Sequence, residues 1–205
     1  MGGFDYLIAN LLREEIESHL GRKIIKKIEK RLFEKYGITI TQSMNDFAKF
    51  EDILKEIFGG GSRGMVRSIL NNLCSFKKNS GRSDSLVTLH DSRITEMVLD
   101  MLGDRDYRII LDMLIGKSLV PYEILKKTNI PQASAYRKID ALVQAGLLVE
   151  DGKVLSSETG RPAVKLTTLY RGLDMSIVKN QVTAQVKLSQ NMLAKSTILY
   201  TLYSV

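Results

Sequence analysis

The chain has 205 residues, of which 44% are hydrophobic, and it carries a formal net charge of +7. This composition excludes a largely disordered protein and allows one medium-sized or two small domains. The moderate positive charge favours polyanionic partners without requiring one. One cysteine and two histidines supply neither a disulfide framework nor a recognisable zinc-ligand spacing, so we expect no metal and no other cofactor.

The sequence contains no apolar run that approaches the ~20 residues needed by a membrane-spanning helix. Residues 1–15 carry acidic side chains early and lack a basic segment before their apolar run, unlike a secretory signal peptide. We therefore expect a cytoplasmic protein without membrane contact.

Apolar residues recur at helical spacing through the first third of the chain, which predicts four amphipathic helices in a small bundle. Gly21 separates the first two helices, and Gly59 to Gly61 break the chain before the fourth. Cys74 lies in an apolar helical stretch beside Leu73, which favours a core residue over a nucleophile.

Residues 77–85, with the sequence KKNSGRSDS, contain no hydrophobic side chain. A polar stretch of this kind between two periodic segments is typical of a linker. Beyond it the helical spacing restarts. We therefore predict an N-terminal helical domain for sensing or assembly over residues 1–76, and a second domain over residues 86–205.

The second predicted helix has a basic face. Two glutamates, Glu29 and Glu34, lie among its cations, so the pattern favours an ordinary solvated face over a contact with DNA flanks or with an acidic partner. The cations of this face are Arg22, Lys23, Lys26, Lys27, Lys30 and Arg31.

The stretch after residue 114 has the pattern of a helix-turn-helix. Pro121 suits the first turn of a short helix, because its missing N–H group would be unpaired there in any case. Residues 129–131 form a tight turn, and a second helix is predicted over residues 131–144. In a helix-turn-helix this second helix lies in the major groove of DNA, with its first residues on base edges. Its apolar stripe consists of Ala135, Ile139, Leu142 and Val143.

The face opposite that stripe carries the predicted base contacts. Glutamine can bond bidentately to adenine and arginine to guanine, each worth ~1–3 kcal/mol of discrimination. Tyr136 can meet a thymine methyl group or a phosphate, and Lys138 is expected on a phosphate. The predicted DNA-binding residues, including two on the following hairpin, are Gln132, Ala133, Ser134, Tyr136, Arg137, Lys138, Lys153 and Arg161.

A β-hairpin, or wing, is predicted next. Residues 151–162 form its outer part, which comprises the loop and the strand residues next to it. Arg161 near the tip suits a narrow, electronegative minor groove, whereas Glu158 weakens the positive charge of the loop. Strand-like alternation on both sides of residues 179–181 predicts an additional hairpin. The tail over residues 191–203 has the spacing of a helix.

Two stretches resemble known families. IPQASAYRKIDALVQAGLL, followed by a strand–loop–strand whose loop ends in TGRP, resembles the winged helix-turn-helix regulators of the arsenical-resistance-repressor type and their archaeal relatives, from about Ile94 to Tyr170. Residues 4–75, including EDILKEIFGGGSRGMVRSIL, resemble the small output domain named from Nitrosopumilus-type archaea. The resemblance implies an archaeal transcriptional regulator whose N-terminal part responds to an unknown effector or protein partner.

Together these observations predict a mainly α (α+β) fold, with an N-terminal helical bundle and a C-terminal winged helix-turn-helix domain. The expected function is sequence-specific binding to double-stranded DNA. Lys126 to Arg171 hold only eight cations against four anions, so we expect a homodimer on a two-part site. The alternative is a winged-helix adaptor that binds protein in a transcription or signalling complex. An enzyme is not expected, because the sequence contains no nucleophile–base–acid set.

Overall fold

The computed structural model describes residues 3–44, 46–78, 84–155, 160–194 and 196–199. The first part of the chain is a helical bundle, as the apolar spacing predicts. Its elements are α1 (Gly3–Tyr36), α2 (Ile40–Ser43), α3 (Phe47–Phe58), a 3₁₀ turn (Gly59–Gly61) and α4 (Ser62–Leu73).

Two of these helices show how the sequence shapes the bundle. At Gly21 the backbone of α1 leaves the helical conformation (φ 75°, ψ 158°), so α1 consists of two helices in succession. The apolar stripes of both halves are buried, and α3 contributes Phe47 and Phe50, whose rings lie 5.5 Å apart. Burial of these aromatic and aliphatic side chains is the main force that holds the bundle together.

The second part of the chain has the elements of a winged helix-turn-helix followed by an additional hairpin, which confirms the predicted fold class. The helices are α5 (Ser92–Gly103), α6 (Arg105–Leu114), α7 (Pro121–Lys127), α8 (Gln132–Gln144) and α9 (Gln190–Ala194). The strands of this part are β3 (Leu148–Leu155), β4 (Pro162–Thr168), β5 (Gly172–Val178) and β6 (Gln181–Ser189).

Both ends of the predicted linker are β-structure. Strands β1 (Cys74–Lys78) and β2 (Asp84–Leu89) pair antiparallel, so residues 77, 78, 84 and 85 belong to strands, and residues 79–83 lie outside the described residues. The polar sequence was misleading because ladder hydrogen bonds join backbones and require no apolar side chains. Cys74, predicted on a helix, begins β1; its burial raises the pKa of the thiol to about 12.

The four-stranded sheet joins the two predicted domains. Its strand order is β1-β2-β6-β5, and β2 pairs with β6 from Asp84↔Ser189 to Leu89↔Ala184. The boundary predicted near residue 86 therefore falls inside β2. Val87 lies opposite Val186 in this ladder and both are buried, so one continuous apolar core extends through both parts of the chain.

The additional hairpin and the tail follow the predictions in part. Lys179 and Asn180 form the turn between β5 and β6 with positive φ values of 49° and 63°, as a tight two-residue hairpin turn requires. In the tail, α9 ends at Ala194, and residues 200–203 of the predicted helix lie outside the described residues.

A buried carboxylate fastens the tail to the start of α1. Asp5 accepts hydrogen bonds from Ser196 Oγ (2.5 Å), from both the N–H and the hydroxyl of Thr197 (2.8 and 3.0 Å), and from the N–H of Ile198 (3.3 Å). Desolvation raises the pKa of Asp5, and these four bonds act against that rise. A buried carboxylate needs such partners, because without them its burial would be costly.

A close approach between α1 and the end of α8 positions the winged helix on the bundle. Gly146 follows α8 with φ 75°, which satisfies the left-handed conformation common after helix C-termini. A Cβ atom at Gly146 would lie 2.8 Å from the backbone N and 2.9 Å from the Cα of Leu7. Only glycine therefore fits this position, for reasons of both conformation and space.

We predict that Gly146→Ala lowers the free energy of unfolding more than Gly152→Ala does. Both glycines have positive φ, but a Cβ at Gly152 (φ 87°) would meet open space. The control should cost ~1–2 kcal/mol of conformational strain, and the clash with Leu7 should add about 1–3 kcal/mol. Urea unfolding of the two variants measures the difference. Equal losses would show that α1 does not press on the end of α8.

Candidate nucleic-acid interface

A proline lies at the start of each of the helices α7 and α8. Pro121 occupies the first position of α7, and the N–H of Val120 donates to Glu123 Oε2 at 3.0 Å. Pro131 precedes α8 and has no side-chain acceptor for the first N–H groups of that helix. The start of α8 is therefore open to an external acceptor, and helix N-termini favour phosphate groups.

The two faces of α8 differ as the sequence predicts. Ala135, Ile139 and Leu142 are buried, and Val143 is half-buried against the same core. On the opposite side Tyr136 is 40% exposed. Of the remaining residues predicted on this face, Gln132, Ala133 and Arg137 are exposed and Ser134 is half-buried. We call Gln132, Ala133, Tyr136 and Arg137 the reading face.

Lys138 does not belong to the reading face. Its side chain is 14% exposed and forms ion pairs with Asp104 and with Asp106, the latter at 3.3 Å, while its ammonium lies 4.7 Å from the centre of the Tyr107 ring. Burial lowers the pKa of Lys138, but the hydrogen bonds to Asp104 and Asp106 raise it above its usual value on balance. Lys138 thus joins α8 to α6, and this role replaces the predicted phosphate contact.

The wing is an antiparallel hairpin docked beside α8. Its register runs from Leu148↔Thr168 to Leu155↔Pro162, with an irregularity between Glu150 and Lys153. A bridge between Leu119 and Leu166 attaches it to the segment before α7, with hydrogen bonds of 3.0 and 2.8 Å in the two directions. The base of the wing is therefore fixed to the helix-turn-helix.

Both cations predicted on the wing lie on its exposed surface. Lys153 projects from β3, and Arg161 directly precedes β4. The predicted loop residues 156–159, which include Glu158, lie outside the described residues. The wing also exposes an apolar side chain, because Leu155 at the end of β3 is 74% exposed.

Helix α7 adds two side chains that the sequence analysis did not assign to the site. The ammonium of Lys126 lies 4.3 Å from the centre of the Tyr122 ring, one helical turn away. A shallow groove beside the reading face is lined by Tyr122, Leu125, Lys126, Ile130 and Gln132. The Tyr–Lys spacing of four residues was the available signal, because such residues are neighbours on a helix surface.

The described part of the chain contains neither a cluster of metal-binding side chains nor a helix suited to cross a membrane. No group of three or more His, Cys, Asp or Glu side chains there could hold a metal ion. None of the described helices combines the length and the apolar character that crossing a bilayer requires.

No protein-family model matches this chain, and no significantly similar protein was found among curated proteins or solved structures. The site must therefore be interpreted from its own geometry and chemistry.

We predict that Asp104→Asn destabilises the protein at neutral pH by removing the partner of Lys138. The hydrogen bond from Lys138 is the main cause of the lowered pKa of Asp104. The pair therefore stabilises the fold above the ordinary Asp pKa of 3.8, and this contribution is lost as the pH falls through the lower pKa of the folded state. Urea midpoints measured from pH 7 to pH 3 should show the gap between wild type and variant closing at the acidic end.

The matched control is Asp140→Asn, which removes an exposed carboxylate of α8 that has no ion pair among the described residues. Its effect at pH 7 should be the smaller of the two. A larger effect of Asp140→Asn would mean that the Lys138 pair does not hold α8 against α6.

Proposed function

We propose that the protein is a sequence-specific transcriptional regulator that binds double-stranded DNA. The observation that carries the proposal is the reading face of α8, which is exposed at the start of the second helix of a helix-turn-helix. Beside it lies a hairpin with exposed cations. We propose that such a regulator acts in the cytoplasm, the location that the sequence analysis expects.

The side chains of the reading face suit base edges in the major groove. Gln132 and Arg137 can each form two hydrogen bonds to one base, to adenine and guanine respectively. They lie at the two edges of the exposed surface of α8, five residues apart, with a rise of ~7.5 Å that corresponds to about two base pairs. Tyr136 between them offers a ring to a thymine methyl group. An adaptor surface would favour apolar side chains at these positions.

The wing and α7 can provide contacts to the backbone and to the minor groove. Arg161 and Lys153 lie on the hairpin, and a narrow minor groove attracts such cations through its negative potential. Lys126 on α7 stands beside Gln132, where a phosphate would lie if α8 entered the groove. These contacts would position the protein, while α8 would read the sequence.

We predict that Arg137→Ala weakens binding to a preferred duplex by about 5- to 150-fold, which corresponds to the loss of one bidentate contact of ~1–3 kcal/mol. The preferred duplex is first selected from genomic fragments by the purified protein. Fluorescence anisotropy then compares this duplex with a scrambled one. The loss should be confined to the preferred duplex, because the substitution removes discrimination between bases.

The matched control is Arg13→Ala, which removes the same charge from an exposed position on α1. It should leave the difference between preferred and scrambled duplex intact. Arg161→Ala should reduce affinity for both duplexes if the wing contacts the backbone. Binding that is tight, independent of salt and unaffected by Arg137→Ala would contradict the proposal.

We also predict a homodimer, because one reading face with few cations would hold a single half-site weakly. Light scattering at micromolar concentration should give twice the monomer mass of 23.1 kDa. Strand β5 is a candidate interface, since it lies at the edge of the sheet among the described residues and Ile177 and Val178 at its end are 64% and 61% exposed. Ile177→Lys should then favour the monomer. A wild-type monomer both alone and on DNA would refute the prediction.

The second candidate function is a protein-binding adaptor. The observation that favours it is the exposed apolar surface near the reading face, formed by Leu155 on the wing and by Leu125 and Ile130 in the groove beside α7. The DNA-binding measurement separates the two functions, because an adaptor would show no difference between preferred and scrambled duplex.

A further inference from the structure

The highest concentration of positive charge lies outside the helix-turn-helix. The second half of α1, residues 22–36, holds seven cations and two anions. The charged residues of α8 are Arg137, Lys138 and Asp140. Of these, Lys138 is neutralised by its two carboxylate partners. Affinity for nucleic acid comes largely from phosphate contacts. The reading face alone therefore offers little of that affinity.

The structure divides six of the seven cations of this half of α1 into two groups; the seventh, Arg22, pairs with Glu17 at 3.5 Å. Arg31 pairs with Glu34 (3.1 Å) and with Glu56, and Lys35 pairs with Asp52 (2.6 Å), so these two cations attach α1 to α3. Hydrogen bonds to these carboxylates raise the pKa of Arg31 and of Lys35. These two cations are thus used within the bundle.

The other group points into solvent. Lys23, Lys26 and Lys27 are exposed and have no ion pair among the described residues; Lys30 is 75% exposed, with only a 3.8 Å contact to Glu34. The sequence favours a solvated face because of Glu29 and Glu34. In the structure, however, Glu29 is half-buried and Glu34 also pairs with Arg31. The carboxylates thus leave most of the charge of this face uncompensated.

The four lysines form one surface, which we call the lysine face: Lys23, Lys26, Lys27 and Lys30. Their spacing places them on a single side of the helix over a rise of ~10 Å. Ile25, Ile28 and Leu32 on the opposite side are buried in the bundle. The helix therefore cannot rotate, and the lysine face is held outward.

The chemistry of this face points to a phosphate backbone. A helix that binds a membrane surface inserts its apolar side, but here that side is buried in the protein core. Protein interfaces are depleted in lysine and have apolar centres, whereas Phe33 (69% exposed) is the one large apolar side chain exposed on the described surface of this half of α1. Lysine is, in contrast, a common partner of nucleic-acid phosphates, which it meets as a point charge.

We propose that the lysine face is a second DNA-contacting surface, which binds phosphates flanking the site that α8 reads, without regard to base sequence. The inference rests on the proposed function. Leu7 lies against Gly146 at the end of α8, and the helical rise from Leu7 to Lys30 is at most ~35 Å, about one turn of duplex DNA. The start of α8 lies a further ~20 Å from Gly146 along the helix, so phosphates within about two helical turns of the site, on one side of it, are within reach of the lysine face.

The experiment compares wild type with the variant Lys23→Gln/Lys26→Gln/Lys27→Gln/Lys30→Gln on two duplexes. Both duplexes contain the preferred site. The short duplex has about 15 base pairs, and the long one has about 35, so the long duplex extends the short one by about one helical turn on each side. For wild type the longer duplex should bind at least about tenfold more tightly at low salt. Because each neutralised phosphate contributes ~0.9 to the slope of log K against log salt, the loss of four lysine contacts should reduce the magnitude of that slope by up to about 3.6.

The matched control neutralises four exposed lysines elsewhere that have no ion pair among the described residues, as Lys55→Gln/Lys77→Gln/Lys117→Gln/Lys179→Gln. It should keep both the length dependence and most of the slope. The lysine-face variant should keep the preference for the selected site over a scrambled one. Far-ultraviolet circular dichroism verifies that both variants are folded, as expected for substitutions at exposed positions.

The outcomes separate the two proposals. An unchanged slope and an unchanged length dependence in the lysine-face variant, with site preference retained, would overturn the lysine face alone. A wild-type protein without site preference, whose binding still depends on these lysines, would overturn the proposed function alone. Wild type that binds no duplex overturns both.

Discussion

The contact of α1 with the end of α8 is the constraint on which the arrangement of the whole chain depends. The backbone of Leu7 lies so close to Gly146 that a methyl group would not fit between them. A few residues earlier, a Cβ at Gly3 would lie 2.4 Å from Val149 Cγ1 on the wing strand β3. The first turns of α1 thus pack against the junction between α8 and β3, at the base of the wing.

This packing has consequences for how the two parts of the chain can act. Two domains joined by a linker would move independently, whereas here β2 of the connecting hairpin is paired along its length with β6. Asp5 fastens the tail to the same end of α1. Any event that repacks α1 would therefore be transmitted to α8 and the wing by direct contact, since packed interiors transmit strain. The bundle is in this sense part of the same packed unit as α8 and the wing, and not a separate domain.

Much of this fold could be predicted from local patterns. Helical spacing located the buried stripes of α1, α3, α4 and α8, and alternation located the hairpins β3–β4 and β5–β6, because these signals depend on neighbours a few residues apart. The connecting hairpin could not be predicted in this way. Its strands are polar at the ends that are nearest to each other in sequence. The second partner of β2 is β6, which lies about a hundred residues later in the chain.

The candidate site shows the same division between local and long-range information. The exposure of Gln132 and Arg137 follows from the helical period alone. The ion pairing of Lys138 depends on Asp104, which lies 34 residues earlier in sequence. No local sequence pattern indicates that these two side chains are in contact. The same holds for α1, where carboxylates of α3 engage Arg31 and Lys35 but leave Lys23, Lys26 and Lys27 unpaired.

Charge that is counted along the sequence is thus a poor guide to charge that a ligand can reach. The net charge of +7 is moderate, but the ion pairs distribute it unevenly over the surface. Near the reading face, the pair of Lys138 with Asp104 and Asp106 removes one cation from contact with a ligand. On the second half of α1, four lysines remain exposed on one side. Exposed cations steer and hold polyanions, so under the proposed function the surface that contributes most affinity for DNA need not be the surface that reads its sequence.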